Sequence, residues 1–244
     1  MNLNDLHIRQ FLFECLERYS DHLGGVLLDL GCGRRPYYNI YQRHFGKVIC
    51  ADREDRCGRL DVLVDAHSLP FASNSIDVVL FSEIIEHLPN YSIALSEIER
   101  ILKPDGFLFL TWPFSYSMHE IPQDFSRLTE FGIQSILRGS QLEIVQIKRR
   151  GDALAVMHTI VGQLFSNITE FLRRLPYLGP ILRPFCMVLD SLVDSSYKFH
   201  FVLTRKAGRL NPFRVGEKLE GVVGSVTLWT LGYCALLRKK QNNL

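Results

Sequence analysis

The chain lacks any Cys-x-x-Cys pair, any internal repeat or low-complexity tract, and any large excess of one charge. Its six cysteines (15, 32, 50, 57, 186 and 234) stand singly in 244 residues. That spacing excludes a paired-cysteine metal or redox motif, and the expectation is reduced, buried thiols in a cytoplasmic protein. With 28 Lys+Arg against 26 Asp+Glu the formal charge is +2, which gives no electrostatic mandate for a polyanion. Arg34-Arg35 and Lys148-Arg149-Arg150 are short basic runs without interleaved aromatics, so a nucleic-acid partner is not expected. The apolar stretches at 153–165 and 175–193 are too short or too interrupted to span a bilayer. Asn4, Asp5, His7, Arg9 and Glu14 interrupt the start too early for a secretory leader.

What is present suits one domain with a sizeable core, since 47% of residues are hydrophobic and 22% charged. Residues 4–20 repeat apolar side chains at a helical period. Short apolar runs follow at 26–30, 47–52, 60–65, 76–82 and 106–112, each read as a strand. A helix is predicted over Tyr91–Leu102, stopped by Lys103-Pro104-Asp105-Gly106, another over Thr129–Leu137, and a sixth strand over Leu142–Lys148. Strands alternating with helices predict βαβ units and a mostly parallel sheet. Residues 152–225 break that rhythm and are expected to form a helical insertion before a last strand over 226–240. The predicted organisation is a single domain over 1–244, with an N-terminal helix in 1–24 and the core in 25–151.

The run Val26-Leu27-Leu28-Asp29-Leu30-Gly31-Cys32-Gly33 is the most informative segment. A buried strand ending in an acid and two glycines leads into a turn where bare backbone can approach a ligand. Asp52 follows 19 positions after Gly33, at the spacing of a second strand whose carboxylate receives ribose hydroxyls. An adenosine-containing cofactor is implied. A dinucleotide site wants a third glycine, whereas this turn reads Gly31-Cys32-Gly33-Arg34-Arg35-Pro36. An NAD-dependent oxidoreductase is therefore the weaker enzyme reading.

The glycine turn resembles motif I of the class I S-adenosylmethionine (SAM) methyltransferases. Asp65-Ala66-His67-Ser68-Leu69-Pro70-Phe71, the segment from Asn74 through Leu88, and Glu97 through Gly106 are similar to later motifs of the type-11 family, in order, over roughly residues 20–150. The resemblance implies a Rossmann-like, seven-stranded, mostly parallel α/β sheet with an antiparallel last strand, and SAM as cofactor. It implies that Asp29, Gly31, Cys32 and Gly33 border the methionine part and that Asp52 holds the ribose. It further implies that Asp65 and Ala66 meet the adenine and that Ser82 lines the sulfonium side. The implied activity is methyl transfer to a small, glycan or lipid-linked acceptor, at oxygen. A catalytically inactive scaffold of the same fold is the reading from outside enzymology.

A hydroxyl acceptor must lose its proton during attack, and histidine is the commonest base for that step. His87 and His119 are the candidates, with Asp124 beside His119 in a loop, Met118 to Thr129. That loop resembles one in bacterial methyltransferases of surface-polysaccharide gene sets. Asp124 pairing with Arg127 as a loop clamp is the alternative to a direct catalytic role. Glu83, Glu86 and His87 form E-x-x-E-H, which on a helical turn would share one face. The small-RNA 2′-O-methyltransferases and ubiquinone-pathway O-methyltransferases show a similar pattern with a later histidine. The expectation is no metal, with the acids solvated or capping; a divalent ion on Glu83, Glu86, His87 and His119 is the alternative. The insertion is expected to cap the core, with a lid over the acceptor or peripheral contact with a bilayer as alternatives.

Overall fold

The computed structural model describes residues 3–19, 24–56, 58–176, 179–207 and 230–241. Two compact units emerge, one formed by Ile8–Lys148 with Gly232–Leu244, the other by Met1–His7 with Arg149–Leu231. The first contains most of one seven-stranded sheet. Its strands are β1 (Val26–Leu30), β2 (Lys47–Asp52), β3 (Val62–Leu63), β4 (Ile76–Ser82), β5 (Leu102–Pro113), β6 (Leu142–Arg150) and β7 (Gly232–Lys239). Their spatial order is β3-β2-β1-β4-β5-β7-β6, parallel through β5 and antiparallel at β5–β7 and β7–β6. The Rossmann-like sheet with its antiparallel last strand is thus the one expected.

The strands read as continuous apolar runs because both faces are covered. Successive residues alternate between two cores. Leu28, Leu30, Val79, Phe81, Leu108 and Leu110 face one side, where the predicted helix α3 (Tyr91–Ile101) buries Ala94, Leu95, Ile98 and Ile101. Leu27, Val78, Leu80, Phe107 and Phe109 face the other, together with Ile8, Phe11, Leu12, Cys15 and Leu16. Those last five recur at the helical period on α1 (Leu3–Arg18). Each such side chain, fully buried, contributes roughly 1.5–3 kcal/mol. Cys15, Cys32, Cys50, Cys186 and Cys234 are buried and outside any disulfide among the described residues; Cys57 lies outside the described residues.

Three expectations are corrected. The strand expected over 60–65 shrinks to Val62–Leu63, because β3 is an edge strand pairing only with Ala51 and Asp52. Lys103-Pro104-Asp105-Gly106 does not simply end a helix. Leu102 already pairs with Ile76, the register then jumps so that Phe107 pairs with Val78, and the four residues bulge out of β5. The last strand begins at Gly232 rather than 226, with 226–229 outside the described residues. A further short helix, α2 (Tyr38–Tyr41), follows the glycine turn, and the predicted 129–137 helix is α4 (Glu130–Ile136), whose N-cap Thr129 accepts from Gly132 N–H at 2.9 Å.

In the second unit, α5 (Ala153–Arg174) and α6 (Gly179–Ala207) form an antiparallel hairpin. Thr169 Oγ1 donates to Asp190 Oδ1 at 3.1 Å, and Arg173 reaches the same carboxylate. Asp152 caps α5 by accepting from Ala155 N–H at 2.9 Å. The insertion is helical as predicted through 207; residues 208–225 lie outside the described part.

Candidate active site

The chain leaves β1 toward β2 on one side and β4 toward β5 on the other, so the strand order reverses between β1 and β4. Open α/β sheets bind ligands outside the strand ends at such a point. Gly31, Asp52 and Ser82 stand at those ends. Gly31 N–H and Cys32 N–H both donate to Ala51 O, at 2.7 and 3.2 Å. Gly33 N–H donates to Asp52 Oδ2 at 2.8 Å and Glu54 N–H to Oδ1 at 3.3 Å. Each Asp52 oxygen keeps a further lone pair for a ribose hydroxyl.

The two glycines have different surroundings. Both adopt positive φ, +76° at Gly31 and +51° at Gly33. A Cβ on Gly31 would lie 2.4 Å from Ile84 Cδ1, so that glycine makes room for the β4 turn. A Cβ on Gly33 would meet nothing within 4 Å. Its bare backbone therefore borders open space beside Asp52, a cradle suited to a nucleoside cofactor. Asp29 is buried beneath and accepts a hydrogen bond from Tyr41 Oη. Burial pushes its carboxyl up to about 7, against the opposing pull of the Tyr41 hydroxyl. The Cys32 side chain is buried, leaving its backbone to the turn. Arg35, one residue before the Pro36 that stands where a dinucleotide site would carry its third glycine, has φ +58° and stacks its guanidinium 3.7 Å from the Tyr38 ring centroid.

Asp65 accepts from His67 N–H at 2.9 Å and faces His67 Nδ1 at 2.7 Å, contacts that lower its carboxyl below the usual range. Ala66 packs half-buried on the core. Ser82 shares a hydrogen bond of 2.8 Å with Thr111, which donates to Glu83 Oε1 at 2.9 Å.

The E-x-x-E-H segment departs from the expected single helical face. Glu83 has φ +56° and turns back to Thr111, while Ile85–His87 is a short 3-10 turn. Glu83 is therefore separated from the group, and Glu86 is buried at 1% exposure rather than solvated. Glu86, His87 and His119 do come together, with one ligand atom from each within 4.8 Å of the others. Glu86 Oε1 lies 3.7 Å from His87 Nε2 and 3.9 Å from His119 Nε2. The two rings sit edge to face at 4.8 Å. His87 Nδ1 stands 2.6 Å from Gln123 O, a contact that needs the ring proton on Nδ1 and frees Nε2 as an acceptor.

Asp124 takes the clamp position. It accepts two bonds from Arg127, at 2.5 and 2.7 Å, and one from His119 N–H at 2.9 Å. Arg127 is the main reason its carboxyl is lowered to about 2. Arg56, after β2, pairs with Glu120 at 3.2 Å, tying the cofactor end to the loop that carries His119. Tyr41, Thr111 and Gln123 complete the site without a sequence signal, since each acts through a contact that no spacing announces.

Residues 28–110 match the family model described as a methyltransferase domain. The fatty-acid O-methyltransferase of Mycolicibacterium smegmatis is 27% identical over 158 residues, covering 59% of this chain and 57% of that protein. The malonyl-[acyl-carrier protein] O-methyltransferase of Alcanivorax borkumensis is 30% identical over 116 residues, covering 41% and 39%. The chain thus spans about half the length, or less, of these curated relatives. A SAM-dependent methyltransferase structure from Archaeoglobus fulgidus superposes with a TM-score of 0.52 at 18% identity, covering 95% of this chain and 94% of that one; at that identity it speaks for the fold. Family model, motif order and sheet topology agree: residues 28–110 form a methyltransferase domain of the type-11, class I SAM-dependent kind.

Proposed function

We propose that this protein methylates an oxygen of a small, glycan or lipid-linked acceptor, with His119 and His87 handling the acceptor's proton. The observation carrying this reading is the pair of imidazoles whose Nε2 atoms converge on buried Glu86. The pair is set beside the glycine turn by the packing of Ile84 on Gly31. Bound SAM supplies an electrophilic methyl group, so the protein's share is positioning, exclusion of water and removal of one proton. His119, 30% exposed at its side chain against 11% for His87, is the ring that meets the acceptor. With SAM bound, His119 Nε2 would take the acceptor's O–H proton as the methyl group passes from the sulfonium sulfur to that oxygen, the S–C bond breaking to leave S-adenosylhomocysteine. Asp124 and Arg127 act as positioning residues, fixing the backbone that carries His119. The names of the two relatives support oxygen as the target and an acyl chain as part of the acceptor. An acceptor carried on lipid would place the reaction at a membrane periphery.

Incubation of methyl-labelled SAM with a fractionated host extract tests the proposal, wild type beside His119→Ala. Label is expected in a glycan- or lipid-containing fraction, lost in the variant. Label in no fraction would overturn it. A carboxylate acceptor arrives without the proton, so full activity in His119→Ala would redirect the assignment to an acid.

One observation favours a second reading, metal-assisted transfer. Two donors about 2.1 Å from a shared ion stand at most about 4.2 Å apart; both Glu86–histidine separations meet that bound, and the three donors together lie within 4.8 Å, so the two rings would have to draw together around an ion. His87 is also braced through its other nitrogen by a backbone carbonyl, as metal-ligating histidines usually are. Glu86, His87 and His119 would hold the ion, which would lower the pKa of an acceptor hydroxyl. Unchanged activity and melting temperature when Mg²⁺, Mn²⁺ or Zn²⁺ is titrated into EDTA-treated protein would remove this reading.

A further inference from the structure

The α5–α6 hairpin is built inside out. Gly162 and Thr169, small residues seven apart on one face of α5, are buried, while Ala155 and Val156 at its start pack with Leu231 and Leu6. The large apolar residues of α5 point away from that face: Met157, Ile160, Leu164 and Phe171 are 51%, 62%, 57% and 64% exposed. On α6 Cys186 is buried, while Phe185 and Val188 are 57% and 58% exposed. In water the large side chains should take the interior and the small polar ones the surface. The opposite sorting, small residues between helices and bulky apolar ones outward, is how helices pack in hydrocarbon. The two helices are joined by Thr169 and Arg173 on Asp190, a partly exposed polar contact.

From this pattern we infer that the α5–α6 hairpin is a membrane-docking element that seats its apolar face in one leaflet of an anionic bilayer. Three features choose lipid over a second copy of the chain. At 100° per residue the outward apolar positions of α5 cover an arc of about 140°, wider than the narrow seam that pairs helices. No charged residue occurs between Ala153 and Thr169, so nothing on that stretch would fix the register of a protein partner. The turn end carries Arg173, Arg174 and exposed Arg183 against Glu170 and Asp190, a net positive charge of one, on the Arg183 side, that complements anionic headgroups. None of the helices, among the described residues, is long and apolar enough to cross a membrane, so the hairpin lies in the interface. This inference stands apart from methyl transfer: it concerns a different unit of the chain and needs no acceptor.

Flotation of the full chain with vesicles decides it, using phosphatidylcholine alone and phosphatidylcholine with 30% phosphatidylglycerol (a composition of about that order suffices). Binding to both is expected, stronger with the anionic lipid. The triple variant Met157→Gln, Leu164→Gln, Phe171→Gln keeps good helix formers and should reduce binding at least about tenfold, with helical circular dichroism and SAM affinity unchanged. Arg183→Glu should weaken only the anionic preference, and it serves as the second test if the triple variant does not fold. Binding to neither vesicle overturns the inference, whether light scattering finds a monomer or a dimer that hides the face. So does binding that neither variant alters.

Discussion

At the scale of single residues, Gly31 and Gly33 separate folding from binding although the sequence presents them as one motif. Gly31→Ala drives a Cβ into Ile84 and should lower the melting temperature markedly, as expected of an overpacked core site that costs about 1–3 kcal/mol. Gly33→Ala meets open space, so its left-handed backbone costs only about 1 kcal/mol, while SAM affinity should fall at least tenfold. Calorimetry and thermal melts on the two variants check this, and equal losses of affinity and stability in both would refute the division. Asp29 sets a pH dependence of definite sign. Its carboxyl is raised from 3.8 to about 7 in the fold, so the folded state favours the protonated acid. Its contribution is whole below about 4 and is lost as the pH rises to about 7. Asp29→Asn should flatten the decline of urea midpoint between pH 4 and 7. Asp124 and Glu97, both lowered to about 2, work in the opposite sense, losing their contribution as the pH falls from about 4 toward 2.

At the scale of elements, the turn after β4 and the loop after β5 carry the histidine pair proposed to handle the acceptor's proton. Asp124→Asn leaves both imidazoles in place but weakens the Arg127 clamp. It should lower kcat by roughly tenfold with little change in SAM affinity, whereas His119→Ala should lower kcat by about 10²–10⁴-fold. Stopped-time assays with the acceptor in excess would check the split, and a clamp variant that alters only SAM affinity would count against it. Much of this level was legible in the sequence. The bounds of β1, β2 and β4 follow from apolar runs ending in Gly31, Asp52 and Ser82, because strands buried on both faces leave an unbroken signal. The meeting of His87 with His119 was also readable, from a family pattern. The loss of Glu83 from that group was not, because it depends on one residue adopting positive φ, which its type does not announce. Nor was β3, where edge position rather than composition sets the length. Tyr41, 12 residues beyond Asp29, reaches it only through a four-residue helix.

At the scale of the whole molecule, the sheet order places the ends of β1, β2 and β4 around one crevice, and every cofactor contact considered above follows from that placement. The nicotinamide alternative finds no such support, since Pro36 occupies the third-glycine position and Arg35 before it is stacked on Tyr38. The scaffold alternative has to explain why Asp52 still holds Gly33 N–H and why two histidines converge on a buried carboxylate. The helical hairpin adds a second surface whose chemistry is apolar rather than catalytic, so binding to lipid and binding to SAM can be measured separately. The most direct test is isothermal calorimetry of SAM against the wild type and Asp52→Ala. One saturable site is predicted, weakened at least about tenfold in the variant as a charged hydrogen bond is lost. Absence of heat with folded wild-type protein, or equal affinity in both, would contradict a nucleoside cradle between Gly33 and Asp52.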